Sequence, residues 1–324
     1  MAFFRSKVFQ SIALSIIGVL IFYYSAKITD IKSFKEILPR ANFLYLTTII
    51  GFILLSHFIR AWRWQQLLAK DGVVPSLFSC FITLMTGYLA NFIPPRAGEF
   101  IRAGLLARFE KIPFERVLGT IILERLVDLL MLTFLFGINV LLERQIIEDY
   151  VHTQVFAPLK EKLFLGFWLK MSFALGVVLI FFLFYRVVKK KTKFFQKLKN
   201  QFLSGLTSFF TLKNKVSFIL ATVIIWLAYW LINFLGFKAL NLTIENEFGA
   251  ALSLTTLGTI GMIITPGGTI YPLLSAGVLT LYGLQFQIGQ IAGWLLWGIQ
   301  IIIFLIFGLI SFVSLPFLKK QTVN

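Results

Sequence analysis

The sequence predicts an all-α, polytopic transmembrane helical bundle, with about six full spans and two broken re-entrant hairpins in inverted repeats. Three observations carry that reading. The 324 residues have a mean hydropathy of +0.85, with 58% hydrophobic and 14% charged, which is more apolar surface than one soluble core can bury. Lys and Arg gather between the apolar runs rather than along them. Two of those runs are interrupted by Pro/Gly elbows in corresponding positions of the two halves, the pattern that points to a binding site between repeats.

The formal net charge is +17. Its distribution between apolar runs suits helix orientation and anionic headgroups and argues against nucleic acid. The single cysteine, Cys80, lies in an apolar run, and His57 and His152 are far apart, so neither a disulfide framework nor a zinc cluster is available. No nucleotide-binding loop is visible. No cofactor and no metal are expected.

The first span, 11–24, follows Arg5 and Lys7, and no small-residue cleavage site comes after it, so it is read as a retained helix rather than a signal peptide. Further full spans are expected at 43–59, 118–142, 163–185, 216–240 and 288–315, by length and apolar continuity. The runs 77–93 and 248–265 end at elbows. The whole chain, 1–324, reads as one integral membrane domain, with repeats at about 43–142 and 216–315 joined by a basic connector at about 186–215. With the N-terminus inside and each broken run returning to its own side, 21 of the 31 Lys and Arg fall inside, which places both termini in the cytoplasm. The basic loop from Lys27 to Arg40 runs against this trend. Within the connector, apolar residues from Phe194 to Phe210 recur near helical spacing among lysines, as in an amphipathic helix lying on the membrane to which it is tethered.

The first elbow reads Asn91-Phe-Ile-Pro-Pro-Arg-Ala-Gly-Glu-Phe-Ile-Arg102. Pro94 and Pro95 end the incoming helix, and the freed backbone groups need partners that lipid cannot supply. A helix restarting there presents its N–H groups at the elbow, with Arg96, Glu99 and Arg102 along one face, an arrangement suited to an anionic group such as a lipid phosphate. The second elbow, Thr265-Pro-Gly-Gly-Thr269, brings backbone N–H groups at Gly267 and Gly268 but no charge. Packing kinks remain the alternative for both.

The span at 118–142 carries Glu124, Arg125 and Asp128. Glu124 and Asp128 share a face, and Arg125 reaches Asp128 three residues on. At membrane depth these charges should face the bundle interior. Pairing with Arg96 or Arg102, binding a cationic headgroup, taking up a coupling proton and purely structural pairing all stay open. Arg60 and Arg63, beside Trp62 and Trp64, are expected to anchor the second span at the membrane–water boundary as peripheral lipid contacts. His57 is expected to be a hydrogen-bonded interior residue. The threonines and glycines from Thr255 to Thr265 suit close helix packing or a polar path.

Taken together, Arg60-Ala-Trp-Arg-Trp-Gln-Gln-Leu-Leu68, Gly87 to Arg102, Glu124-Arg-Leu-Val-Asp128 and Pro266-Gly-Gly268 resemble the transmembrane domain of lysylphosphatidylglycerol synthases, whose stand-alone homologues are described as flippase-like. The resemblance implies an inner-membrane protein that moves or accommodates a phospholipid, an aminoacylated lipid or another amphiphile. On that resemblance the substrate-binding residues are Asn91, Arg96, Gly98, Glu99, Arg102, Glu124, Arg125, Asp128, Gly267 and Gly268. Two departures stand out. Ile270 and Leu273 replace a glycine and an acid that often follow the family's second elbow, and the soluble acyltransferase domain of the full synthases is not in the sequence, so lysyl transfer by this chain alone is not expected. Membrane lipids with anionic headgroups are the expected partners, with a separately encoded lipid-modifying enzyme as another. An intramembrane transferase using Glu99, Glu124 or Asp128 as base, and a non-transporting scaffold, are the competing functions.

Overall fold

The structure, a computed structural model, describes residues 16, 18–69, 74–92, 97–144, 146 and 193–318. The expected span 163–185, residues 11–15 and 17 of the span 11–24, the basic run from Arg186 to Lys191 and the residues Pro94, Pro95 and Arg96 lie outside the described residues. The described regular elements are all helical. After a helical stretch at 18–27 come α1 (Ile31–Ile37), α2 (Phe43–Leu68), α3 (Leu77–Ala90), α4 (Ala97–Phe109), α5 (Phe114–Leu142), α6 (Lys193–Leu206), α7 (Lys215–Ala239), α8 (Glu247–Ile264), α9 (Tyr271–Thr280) and α10 (Phe286–Leu318).

Side-chain caps set several helix starts. Asn42, Asn214 and Asn246 each accept a hydrogen bond from a backbone N–H in the first turn of α2, α7 and α8, at 3.0, 3.0 and 2.9 Å, satisfying a donor that the helix itself leaves open. Asp30 does the same for α1, accepting from Lys32 N and from the Ser33 hydroxyl. The Ser33 hydrogen bond leads in holding the Asp30 carboxyl below its usual range.

Among the described residues four helices, α2, α7, α8 and α10, are long and apolar enough to cross a membrane, and large apolar side chains such as Phe43, Leu130, Leu141 and Phe312 are exposed on the outside of the bundle. The protein is an integral membrane protein built as a helical bundle. The helix α2 continues nine residues beyond the expected end at Ile59, to Leu68, because Arg60 and Arg63 are buried inside protein instead of ending the span at a boundary.

Helices α2 and α7 pack lengthwise and antiparallel. The Asn42 N–H donates to the Ala239 carbonyl at 2.8 Å, and at the other end the Ser217 hydroxyl donates to Gln66 Oε1 at 3.3 Å. Several other packed pairs map onto one another when the halves are exchanged. Thus α3 with α10 answers to α8 with α5, α3 with α4 to α8 with α9, and α4 with α5 to α9 with α10.

Each broken run forms a hairpin that enters and leaves at one end of the bundle. Ser76, before α3, donates its N–H to Glu110 just beyond α4, and Gln65 near the end of α2 donates to the Pro75 carbonyl. At the opposite end, Ser253 in α8 meets the hydroxyl of Tyr282 just beyond α9 at 2.7 Å, and Lys238 near the end of α7 pairs with Glu247. The tips of the two hairpins therefore approach from opposite ends. Between them, one apolar cluster gathers around Ile49, Ile53, Phe237 and Leu296 and another around Trp64, Leu84, Leu106 and Ile121. A polar layer lies where α2 passes from the first cluster to the second.

The amphipathic helix appears as α6 (Lys193–Leu206), and it packs against α5. A Cβ on Gly205 would overlap the Arg116 carbonyl, and one on Gly119 would overlap the Phe202 carbonyl, so the two backbones cross in direct contact.

Candidate functional site

The first elbow is held by two glycines and an asparagine. A Cβ on Gly98 would overlap the Gly87 carbonyl oxygen, so α3 and α4 touch backbone to backbone. Asn91, the residue after α3, accepts the Gly98 N–H on its Oδ1 at 2.9 Å. The side chain at the end of one helix thereby caps the start of the next, and this closure sets the positions of Glu99 and Arg102.

Arg102 turns inward. Its Nη2 donates to Glu124 Oε2 at 3.1 Å, and its guanidinium lies 4.8 Å from the ring centroid of Trp64, a cation–π contact. Trp64 is held in turn by its indole N–H on Thr120 Oγ1 at 3.0 Å. Glu124 Oε1 has Arg60 Nε and Arg63 Nη2 each at 3.5 Å. Asp128, one turn further on, accepts Arg60 Nη2 at 3.0 Å and Arg63 Nη2 at 2.7 Å. Arg63 Nη1 also donates to Thr222 on α7, and Arg60 Nη1 to the Tyr88 hydroxyl on α3. Every charged group in this core is at most 9% exposed, and on α2 Arg60 lies about 12 Å and Arg63 about 7–8 Å from the helix end at Leu68, at 1.5 Å per residue. A charge at such depth is tolerated because its partners are already in place.

Three expectations change here. Arg60 and Arg63 are not peripheral anchors: both are buried and bind the carboxylates of α5, because their spacing of three on α2 faces the spacing of four between Glu124 and Asp128. Arg125 does not reach Asp128. Its Nε donates to Glu99 at 2.8 Å, in a pair that is 40% and 36% exposed by side chain. Arg102 is taken up by Glu124 and Trp64, leaving it inside the packing rather than open at the elbow. Arg96 lies outside the described residues. Among the described residues, four arginines, 60, 63, 102 and 125, face three carboxylates, 99, 124 and 128, with one positive charge in excess.

The second elbow is a turn at Pro266–Gly268, with Gly267 at φ 62° and Gly268 at φ 70°, a region that favours glycine. The Gly268 N–H, expected to be open to a ligand, donates to the Thr265 carbonyl at 3.1 Å. Trp297 donates its indole N–H to the Gly267 carbonyl at 2.8 Å. Before the elbow, Thr255, Thr256 and Thr259 bond back to carbonyls of their own helix, Thr255 and Thr259 also line the cavity beside it, and Gly258 and Gly261 make room for Tyr271 and Leu274. Thr255 also accepts from Asn233 Nδ2, whose Oδ1 accepts from the Tyr271 hydroxyl at 2.7 Å.

Both elbows open on one cavity of about 700 Å³, within the usual size of a small-molecule site. Asn91, Glu99, Arg125, Arg60 and Asp128 line one side, the second elbow from Thr265 to Gly268 another, and apolar side chains such as Ile53, Leu132, Ile263 and Phe304 the remainder. Charge and apolar surface side by side suit an amphiphile. A family model for the lysylphosphatidylglycerol synthase TM region matches residues 10–308.

The chain belongs to that family.

No curated protein and no solved structure matched the chain. Membership in this synthase-region family ties the protein to lipid handling in a membrane. Of the residues named from the sequence, Asn91, Glu99, Arg125 and Asp128 line the cavity with Gly267 and Gly268, while Gly98, Arg102 and Glu124 stand behind its wall. Sequence reasoning missed Tyr88, Trp226, Tyr229 and Asn233 as cavity residues; aromatic and amide residues on apolar spans give little signal beyond ordinary packing. Arg60 and Arg63 did carry a signal, since two arginines on one face of a span can be matched to the two acids on another. His57 is interior as expected, yet neither of its ring nitrogens has a hydrogen-bond partner among the described residues. Among the described residues no cluster of three or more His, Cys, Asp or Glu could hold a metal ion.

Proposed function

We propose that the protein is a flippase-like transporter that moves a phospholipid, an aminoacylated lipid or another amphiphile across the inner membrane, with both termini in the cytoplasm. The observation that carries this reading is a cavity shared by two hairpin tips that approach from opposite ends, one wall charged and the rest largely apolar. An anionic headgroup would meet Arg60 and Arg125 there, while acyl chains lie along the apolar side chains. The excess positive charge of the cluster favours such a headgroup, and the half-exposed Glu99–Arg125 pair is the part of the network free to rearrange around it. The function proposed is transport rather than lysyl transfer, with membrane lipid as the partner and a separately encoded enzyme as a possible supplier of modified lipid.

The test is headgroup translocation in proteoliposomes, read with a fluorescent phospholipid whose outer-leaflet fraction is chemically quenched. Glu99→Gln and Arg125→Gln alter groups exposed enough to spare the fold, and each is expected to slow translocation at least tenfold. Wild-type rates in both variants, or no lipid movement by the unmodified protein, refute the reading. The second outcome with co-purification of an active transferase would favour a scaffold.

A further inference from the structure

Two hydrogen-bonding side chains in the cavity have no partner among the described residues. His57 and Trp226 are each 3% exposed and both line the cavity. Neither the His57 nitrogens nor the Trp226 indole N–H has a partner among the described residues. This is not the habit of the protein's tryptophans: Trp64, Trp230, Trp294 and Trp297 all donate their indole N–H. A buried polar group left unmet calls for an explanation, of which a ligand is one.

The two residues belong to one wall. Helices α2 and α7 are antiparallel, and the Arg63–Thr222 hydrogen bond sets their register. One turn from it along each helix, towards the cavity, come Arg60 on α2 and Trp226 on α7; His57 lies a further turn along α2. The His57 ring is fixed by Tyr88 and Phe304, at centroid distances of 5.1 and 5.2 Å, so it cannot turn away to find a partner elsewhere without unpacking both. The cavity's acceptors are already engaged: Asp128 holds Arg60 and Arg63, and Glu99 holds Arg125. With both carboxylates taken, the donors left over are one N–H of the His57 imidazole and the Trp226 indole N–H, beside a cluster with one positive charge in excess.

We infer that His57 and Trp226, with the Arg60 guanidinium beside them, form an oxyanion subsite that takes the phosphodiester of a ligand. A phosphodiester carries one negative charge, matching the excess, and offers unprotonated oxygens to the imidazole and indole N–H groups, while Arg60, held by Tyr88 and Asp128 through one bond from each Nη, adds positive charge and its remaining N–H groups. The inference deepens the lipid reading above and rests on it, since a headgroup phosphodiester and a free phosphate present the same oxygens.

The experiment uses the full chain in maltoside micelles, with tryptophan labelled at the indole nitrogen; Trp226→Phe identifies one of the seven indole resonances. Dihexanoyl phosphatidylglycerol is expected to move the Trp226 resonance downfield, whereas dihexanoylglycerol, which lacks the phosphate, leaves it in place. By calorimetry, His57→Phe and Trp226→Phe should each weaken binding of the phospholipid about tenfold, the loss of one hydrogen bond to a charged acceptor, and the exposed Trp62→Phe should not. An unmoved resonance, or unchanged affinity in both variants, overturns the subsite. Inorganic phosphate moving the resonance at the same concentration as the phospholipid overturns the headgroup as its source. If the shift is present but proteoliposomes move no lipid, the subsite stands and the transport reading falls; transport without the shift gives the reverse.

Discussion

Replacing Glu124 by Gln removes the carboxylate at the centre of the arginine cluster, and the charge count decides how much that should cost. Glu124 is wholly buried and faces three arginines, at 3.1 Å from Arg102 and 3.5 Å from Arg60 and Arg63. The substitution raises the excess from one positive charge to two, at a position closed to bulk solvent. Breaking a buried pair from one side costs about 3–5 kcal/mol; glutamine can still accept one hydrogen bond from Arg102, so the lower figure, about 3 kcal/mol, is expected. Arg102→Met works the other way. It brings the cluster to neutrality and leaves Glu124 with two partners, so it should cost less, about 1–2 kcal/mol. The double variant has the same excess charge as the wild type, so the two effects should not add, with a coupling of about 1–3 kcal/mol. Unfolding in mixed detergent micelles titrated with dodecyl sulfate gives all three values. A cost below about 1 kcal/mol for Glu124→Gln, or additivity in the double variant, would show that the carboxylate is not the counter-ion the geometry makes it.

Two packing predictions can be read from the same titration. Gly98→Ala places a methyl group into the Gly87 carbonyl and beside Asn91 Oδ1, and since the obstacle is backbone the helices must separate; about 1–3 kcal/mol is expected, and a neutral result would refute the close crossing. At the second elbow, Gly267→Ala meets open space and should cost only the left-handed backbone, about 1–2 kcal/mol. Gly268→Ala carries the same backbone cost and also overlaps Met262 Sδ, so it should be the worse of the two; equal costs would mean that Met262 moves aside freely.

The fold was legible in the sequence where composition and punctuation act alone. Apolar continuity placed α2, α7 and α10, and Pro/Gly breaks after Ile93 and Thr265 placed the two elbows, because a chain in an apolar environment has few ways to satisfy its backbone. What composition could not supply was direction in space. Arg60, Trp62, Arg63 and Trp64 read equally well as a boundary anchor, and only the register between α2 and α5 shows that the two arginines turn inward while Trp62 stays outside. Arg125 illustrates the same limit. Its neighbour three residues on was Asp128, but tertiary packing gives Asp128 to α2 and sends Arg125 to Glu99 across the helix boundary.

The exchange relation between the halves makes their chemical difference informative. Counted from the helix starts, Arg60 and Arg63 on α2 correspond to Ile232 and Leu235 on α7, and Glu124 and Asp128 on α5 to Leu296 and Gln300 on α10. The backbone plan is duplicated while the ion network is not. Stability of the bundle therefore does not require charge at these positions, since the second half packs without it around Phe237, Leu254 and Leu296. A network that the architecture can do without, and that is costly to bury, is better explained by what it does in the cavity than by support of the fold. Its buried part, Glu124 with Arg63 and Arg102, holds the first hairpin in place, and its open part, Arg60, Glu99, Arg125 and Asp128, faces the space that both hairpin tips share. The second elbow meets the same space with neutral backbone and Asn233, so a headgroup would be held by charge from one half and guided past uncharged surface by the other.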